Sequence, residues 1–324
     1  MNSENARRTP WNTPLIERRA DPHVSREGGA WYFTATVPEY DRIILRRAAT
    51  LDGLAAAEEK TVWHAHESGV MASHIWAPEL HRIDGKWYIY FAAGEKEDVW
   101  KIRPWVLECE GDDPVADLWT ERGMLTRAEE DEYSFTDFSL DMTVFEHGGK
   151  HYCVWAEKVS AGKKISNLYI AEMKNALELA TPQMLLSSPD YAWERHGFWV
   201  NEGASFTEAE GRMYISFSAS DTGRAYCIGL LWADADADPM DFSAWHKVNR
   251  PVMVTDEEKG LYGPGHNTFF RDENGKLMTS FHARTYDEIE GDPLDDGNRN
   301  TYVAAVETVD GGMRFQVSGV RCEV

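Results

Sequence analysis

The stretch "RIDGKWYIYFAA", residues 82–93, joins a tight-turn signature to an aromatic and β-branched run, the pattern of a hairpin entering a buried strand. Four other stretches repeat it: "GAWYFTATV" from Gly29, "GKHYCVWAE" from Gly149, "GRMYISFSA" from Gly211 and "GKLMTSFHA" from Gly275. With Gly85 the turn glycines are spaced by 56, 64, 62 and 64 residues, a near-constant period over the whole chain. Four-stranded propeller blades repeat at about 40–50 residues, and a period near 60 adds longer loops. The expected architecture is therefore all-β, a single five-bladed β-propeller over residues 1–324, whose closure removes exposed sheet edges. A two-sheet sandwich would not space five hairpins so evenly. "LDGLAAAEEK" and "EMKNALELA" are expected to form a short helix or turn between strands.

Composition narrows the partners. A net charge of −22 repels phosphate backbones, so neither nucleic acid nor anionic membrane is an expected partner. No apolar run reaches the ~18 residues a membrane span needs. The first residues lack the apolar core of a secretory leader. Cys109, Cys153, Cys227 and Cys322 are widely separated and read as reduced thiols. Together these features lead to the expectation of a cytoplasmic protein.

The repeat also organises the acids. Eight residues before Gly29 and Gly149 stand Asp21 and Asp141; nine before Gly211 and Gly275 stand Glu202 and His266, the extra residue being assigned to a longer turn. Eight before Gly85 is Ala77, beside Trp76. Radial repetition would bring Asp21, Asp141, Glu202 and His266 to one mouth of an axial funnel. Carboxylates crowded in a partly dry site cannot all ionise, so one is expected to stay protonated. One protonated and one ionised carboxyl is what glycosidic bond cleavage uses, and acids on opposite sides of a funnel favour inversion.

The stretches "ADPHV", "WAPEL", "LDMTVF", "NEGASF" and "GPGHNTFF", with "FHARTYDEIEGDPLDDGNRN" after them, resemble glycoside hydrolase family 43 in family order across nearly the whole chain. The resemblance implies Asp21 as general base, Glu202 as general acid and Asp141 as the carboxylate that tunes Glu202 and orients substrate. It also implies substrate contacts from Trp76, Asn201, His266 and Arg284. His266 matches an axial histidine that often sits by a cation or water. No cofactor is implied for the chemistry, and a structural calcium or other cation in the central channel is the one ion suggested. The chain resembles exo-acting enzymes that release L-arabinofuranose from α-1,5-arabino-oligosaccharides or arabinoxylan side chains, and the C-terminal sandwich of many family xylosidases is not expected. Arabinose- or xylose-containing oligosaccharides are the implied substrates. A β-xylosidase or endo-arabinanase of the same family, and a carbohydrate-binding propeller without activity, are the alternatives.

Other motifs read as structure. "HAHES" lacks further ligands at metal spacing, and "DADADPMD" has Pro239 where a calcium loop needs glycine. "EEDEY" reads as surface charge, Asp137 as a loop or substrate contact, and Glu79 as structural.

Overall fold

The computed structural model describes residues 13–158, 165–309 and 312–316. Among these the regular structure is β throughout, apart from three single-turn 3-10 segments. Five antiparallel units follow one another. The first comprises β1 (Ala20–Glu27), β2 (Ala30–Thr36), β3 (Arg42–Ala48) and β4 (Lys60–His64); the second β5 (Ser73–Ile83), β6 (Lys86–Gly94), β7 (Arg103–Cys109) and β8 (Trp119–Met124). The third has β9 (Ser139–His147), β10 (Lys150–Lys158) and β11 (Ile165–Asn175), with short β12 (Glu178–Leu179) and β13 (Met184–Ser187) both paired to β11. The fourth holds β14 (Trp199–Ala209), β15 (Arg212–Ala219), β16 (Cys227–Asp234) and β17 (His246–Lys247), and the fifth β18 (Tyr262–Arg271), β19 (Leu277–Arg284), β20 (Asn300–Val309) and β21 (Gly312–Gln316).

The recurring turn glycines do what the sequence requires of them. Gly28-Gly29, Asp84-Gly85, Gly148-Gly149 and Glu210-Gly211 each place two residues at positive φ, the twist-matched two-residue hairpin. In the fifth unit Arg271 pairs with Leu277, so that loop is longer. "EMKNALELA" is not helical: it runs from β11 through a turn into β12, with Asn175 Oδ1 accepting from Leu177 N at 2.8 Å. "LDGLAAAEEK" does contain a 3-10 turn, Asp52–Ala55.

Each first strand carries the same irregularity. Two residues oppose one at Asp21-Pro22, Ala77-Pro78, Asp141-Met142, Gly203-Ala204 and His266-Asn267, a β-bulge in all five units. The first member of every pair has φ between 45° and 56°. Four of them are not glycine, and a left-handed residue with a Cβ costs about 1–2 kcal/mol. Such strain concentrates where a side chain must be aimed.

This register corrects one expectation. The β14–β15 turn is the same two-residue turn as in three other units, so the residue equivalent to Asp21 and Asp141 is Gly203, not Glu202. Glu202 precedes the bulge, at the position of Ala20, Trp76, Leu140 and Gly265. Gly203 has φ +55°, and a Cβ there would come within 3.0 Å of the His266 ring. A carboxylate at the bulge itself would collide with its neighbour, and one residue earlier it does not.

The first strands pack side by side: β5 touches β1 and β9, β14 touches β9 and β18, and β18 touches β1. Apolar clusters lie between consecutive units, such as Tyr32 and Ile43 against Ile75 and Trp87, and Tyr90 against Trp155. Trp31 and Phe33 of the first unit pack with Phe270 of the fifth. Each such buried large side chain contributes roughly 1.5–3 kcal/mol. The sheets remain separate in their hydrogen bonding: three are four-stranded, and the third and fourth units join through a short parallel contact of β11 with β14. No sheet among the described residues closes on itself.

Polar bonds stitch the bulges together. Thr36 Oγ1 accepts from Ala77 N at 2.7 Å, Ser218 Oγ from His266 N at 2.6 Å, and His282 Nδ1 from Asp21 N at 3.1 Å. Each acceptor lies on a second strand opposite the residue before its own bulge, and each donor is the bulge residue of another unit. Between the third and fourth units the acid itself takes this part, Asp141 Oδ2 accepting from Gly203 N at 3.1 Å. Cys109, Cys153 and Cys227 are buried free thiols, and Cys322 lies outside the described residues.

Candidate active site

At the bulged end of the first strands a cavity of about 660 Å³ is lined by Asp21, Asp141, Glu202, His266, Trp76 and Arg299, among others. Ligand pockets commonly span 300–1,000 Å³. Asp21, Asp141 and His266 are each less than 9% exposed, so the acids meet in a largely dry space.

The walls differ in charge. Around Asp21, His266 Nδ1 lies 3.4 Å, His282 Nδ1 3.2 Å and Arg299 Nη1 3.6 Å from Oδ1. Burial alone would raise the Asp21 carboxyl, but His266 and Arg299 outweigh it and hold the group far below the usual carboxylate range. Asp21 is ionised at any working pH. Glu202 has one close partner, the Tyr226 hydroxyl, which donates to Oε1 at 2.7 Å. Burial pushes Glu202 up to about 7, with Tyr226 opposing the rise and the Asp21 charge adding to it. Asp141 is likewise driven well above its ordinary value by burial, then by the charges of Glu202 and Asp21. The Asp141–Glu202 pair therefore retains at least one proton near neutrality.

Two sequence-assigned contacts lie behind the wall rather than in it. Arg284 is 1% exposed, and its guanidinium donates to Asp296 Oδ2 at 3.1 Å, Thr222 O at 2.6 Å and Pro293 O at 2.8 Å. It clamps the loops that carry Thr222 and Leu294 to the cavity edge and does not itself line the cavity. Asn201 is fully buried, donating to Glu194 Oε1 at 2.9 Å and accepting from Ser187 Oγ at 2.7 Å. Trp76 and His266 do line the cavity, and Trp76 stacks on His74 with ring centroids 4.3 Å apart. Asp137 also reaches the cavity, while Glu79 lies outside it.

Sequence reasoning missed Arg299, Tyr226 and His282. His282 was legible: seven residues after each turn glycine stand Thr36, Ala92, Ala156, Ser218 and His282, and the odd imidazole faces Asp21. Tyr226 needs Gly265, since a Cβ there would fall 2.1 Å from its ring. Arg299 follows no period and could be found only in three dimensions.

The protein donors close to His266 are one oxygen each from Asp21 and Asp141, both against Nδ1, the latter at 3.8 Å. Calcium takes six to eight oxygens. These residues do not make a calcium cage.

A cavity that pairs an ionised carboxylate with a protonated one is the arrangement glycoside hydrolysis requires, and an all-β scaffold holding it defines a glycosidase-like class. Residues 12–313 match the family described as Glycosyl hydrolases family 43, and the chain belongs to that family. It is 48% identical to the extracellular exo-α-(1→5)-L-arabinofuranosidase of Streptomyces chartreusis over 89% of this chain and 86% of that protein. It is 46% identical to the protein of the same name from Streptomyces avermitilis over 91% of this chain. The chain spans only 61% of that relative's length. The crystal structure of α-L-arabinofuranosidase from Lactobacillus brevis superposes with a TM-score of 0.87 at 43% identity, over 94% of this chain and 95% of that one.

These relatives correct the cytoplasmic expectation, since both Streptomyces proteins are named extracellular. The thiols misled because a buried, isolated cysteine has no partner to oxidise with in any compartment. Among the described residues no helix is long and apolar enough to cross a membrane.

Proposed function

We propose that this chain is an inverting, exo-acting α-L-arabinofuranosidase that releases L-arabinofuranose from α-1,5-arabino-oligosaccharides or arabinoxylan side chains. The observation that carries the reading is the unlike surroundings of two acids on one cavity: Asp21 lies against His266, His282 and Arg299 and is lowered, while Glu202 meets the Tyr226 hydroxyl and is raised by burial to about 7. Glu202 gives its proton to the glycosidic oxygen as the bond to the anomeric carbon breaks. Asp21 takes a proton from the water that attacks the opposite face, and the product leaves with inverted configuration. Asp141 orients substrate and is coupled to Glu202, the pair holding a proton between them near neutrality. Trp76 offers an apolar face to the sugar. The sugar and the exo mode rest on the names of the relatives.

The same reading takes the five antiparallel units as blades of a five-bladed β-propeller. The cycle of contacts among β1, β5, β9, β14 and β18 supports it, as does the bond from Asp21 N to His282 across the first and last units. No cofactor enters the chemistry.

The test is product analysis on linear arabinan, branched arabinan and arabinoxylan, with an NMR time course on an arabino-oligosaccharide. Free arabinose as the sole early product, first appearing in the inverted anomeric form, is expected. Early oligosaccharide release or a retained anomer overturns the mode or the stereochemistry.

A further inference from the structure

The bulged strands carry a second polar ring. Two residues beyond each bulge residue stand His23, Glu79, Thr143, Ser205 and Thr268, all at least nine-tenths buried. His23, Thr143, Ser205 and Thr268, with His81, line a separate cavity of about 700 Å³ at the hairpin end of the strands. It shares no lining residue with the catalytic cavity.

Three of the side chains here converge. Glu79 and His81 lie two apart on β5, and His81 Nε2 sits 2.8 Å from Glu79 Oε2. The His23 ring on β1 is 5.1 Å from the His81 ring. One ligand atom from each of His23, Glu79 and His81 lies within 4.8 Å of the other two, and no other such group of His, Cys, Asp or Glu gathers among the described residues. Tetrahedral bonds of ~2.0–2.1 Å place ligand atoms about 3.3 Å apart, so small side-chain rotations close the set.

The chemistry of the donors selects the ion. Two imidazoles and one carboxylate suit a borderline divalent metal such as zinc and are poor in the oxygens that calcium or magnesium needs. His23 Nδ1 accepts a backbone N–H and so carries a lone pair to offer. Its bond from Leu80 N, at 3.4 Å, is long enough to yield at little cost. Thr143 bonds to Glu79 from outside the trio, as outer groups around metal ligands do.

We propose that His23, Glu79 and His81 form a three-ligand site for one zinc-class divalent ion, its fourth position open to the cavity at the hairpin end. The site is distinct from the catalytic acids and from His266.

The experiment strips the intact protein with EDTA and titrates it with Zn²⁺ by calorimetry and with Co²⁺ by visible spectroscopy. The expected result is uptake of one equivalent, a tetrahedral cobalt spectrum and a raised melting temperature. His81→Gln should abolish the saturable uptake while melting like the parent in EDTA. Thr143→Ala should weaken it by about 10–100-fold and remains informative if His81→Gln fails to fold. An octahedral cobalt spectrum, no saturable uptake by the parent, or uptake that Thr143→Ala leaves unchanged would overturn the proposal, leaving a hydrogen-bonded Glu79–His81 pair.

Discussion

The two sides of the catalytic cavity carry acids that burial raises alike and that their neighbours shift in opposite directions. Asp21 faces two imidazoles and a guanidinium, whereas Glu202 faces one phenol and a second acid. Burial raises both carboxyls, so burial cannot decide which is base and which is acid. The neighbours set the direction of each shift, and the base and acid roles proposed for Asp21 and Glu202 follow from what surrounds the acids more than from the acids.

Removing either acid should have the largest effect. Asp21→Asn and Glu202→Gln should each lower kcat on an arabino-oligosaccharide by about 10²–10⁴-fold, the usual worth of a general acid or base. If the assignment holds, an aryl arabinoside with a good leaving group needs little protonation, and Glu202→Gln should recover on it while Asp21→Asn should not. Steady-state kinetics on the two substrates checks this.

Next comes the cation wall. Arg299 lowers both Asp21 and Glu202, so Arg299→Met should raise both carboxyls, moving the alkaline limb of kcat/KM up and bringing an acid limb toward the working range, where the parent shows none from Asp21. Tyr226→Phe should act on one limb only. Losing the hydroxyl bond to Glu202 raises that carboxyl above about 7, so the alkaline limb moves up and the acid side of the profile stays flat. Matched pH profiles of the three proteins separate these outcomes.

The smallest effect is on stability, and its sign differs between the acids. The raised Glu202 contributes stability that is present below its ordinary value of ~4.3 and is lost as pH rises through about 7. Glu202→Gln should therefore melt above the parent at pH 8 and near it at pH 4. Asp21, depressed, contributes stability at neutral pH that is lost only as acid protonates it, so Asp21→Asn should melt below the parent at pH 8. Differences of a few degrees are expected, at roughly 2–4 °C per kcal/mol.

Much of this was written in local sequence. Two-residue turns need positive φ twice, so their glycines marked four of the five units directly, and Gly275, at positive φ in a longer loop, marked the fifth. The buried bulges left no such mark: Asp21, Asp141 and His266 adopt left-handed backbone without glycine, because packing and polar bonds hold them there. Counting from the turns therefore found them but misphased Glu202, whose unit gives the bulge to Gly203. Asp131, in the run read as surface charge, is in fact buried and accepts from Ser134 N at 3.0 Å. Arg284 and Arg299 show the limit: both are buried arginines near the cavity, and only the fold tells which one meets the carboxylate and which one pins loops.

The unequal protonation of Asp21 and Glu202 can be read by carboxyl ¹³C NMR of protein labelled at Asp and Glu. With Asp21→Asn and Glu202→Gln used to assign the two signals, a Glu202 midpoint near 7 is expected. The Asp21 signal should stay that of a carboxylate down to the lowest pH at which the fold survives. A Glu202 midpoint in the ordinary range, or an Asp21 that takes up a proton near neutrality, would contradict it.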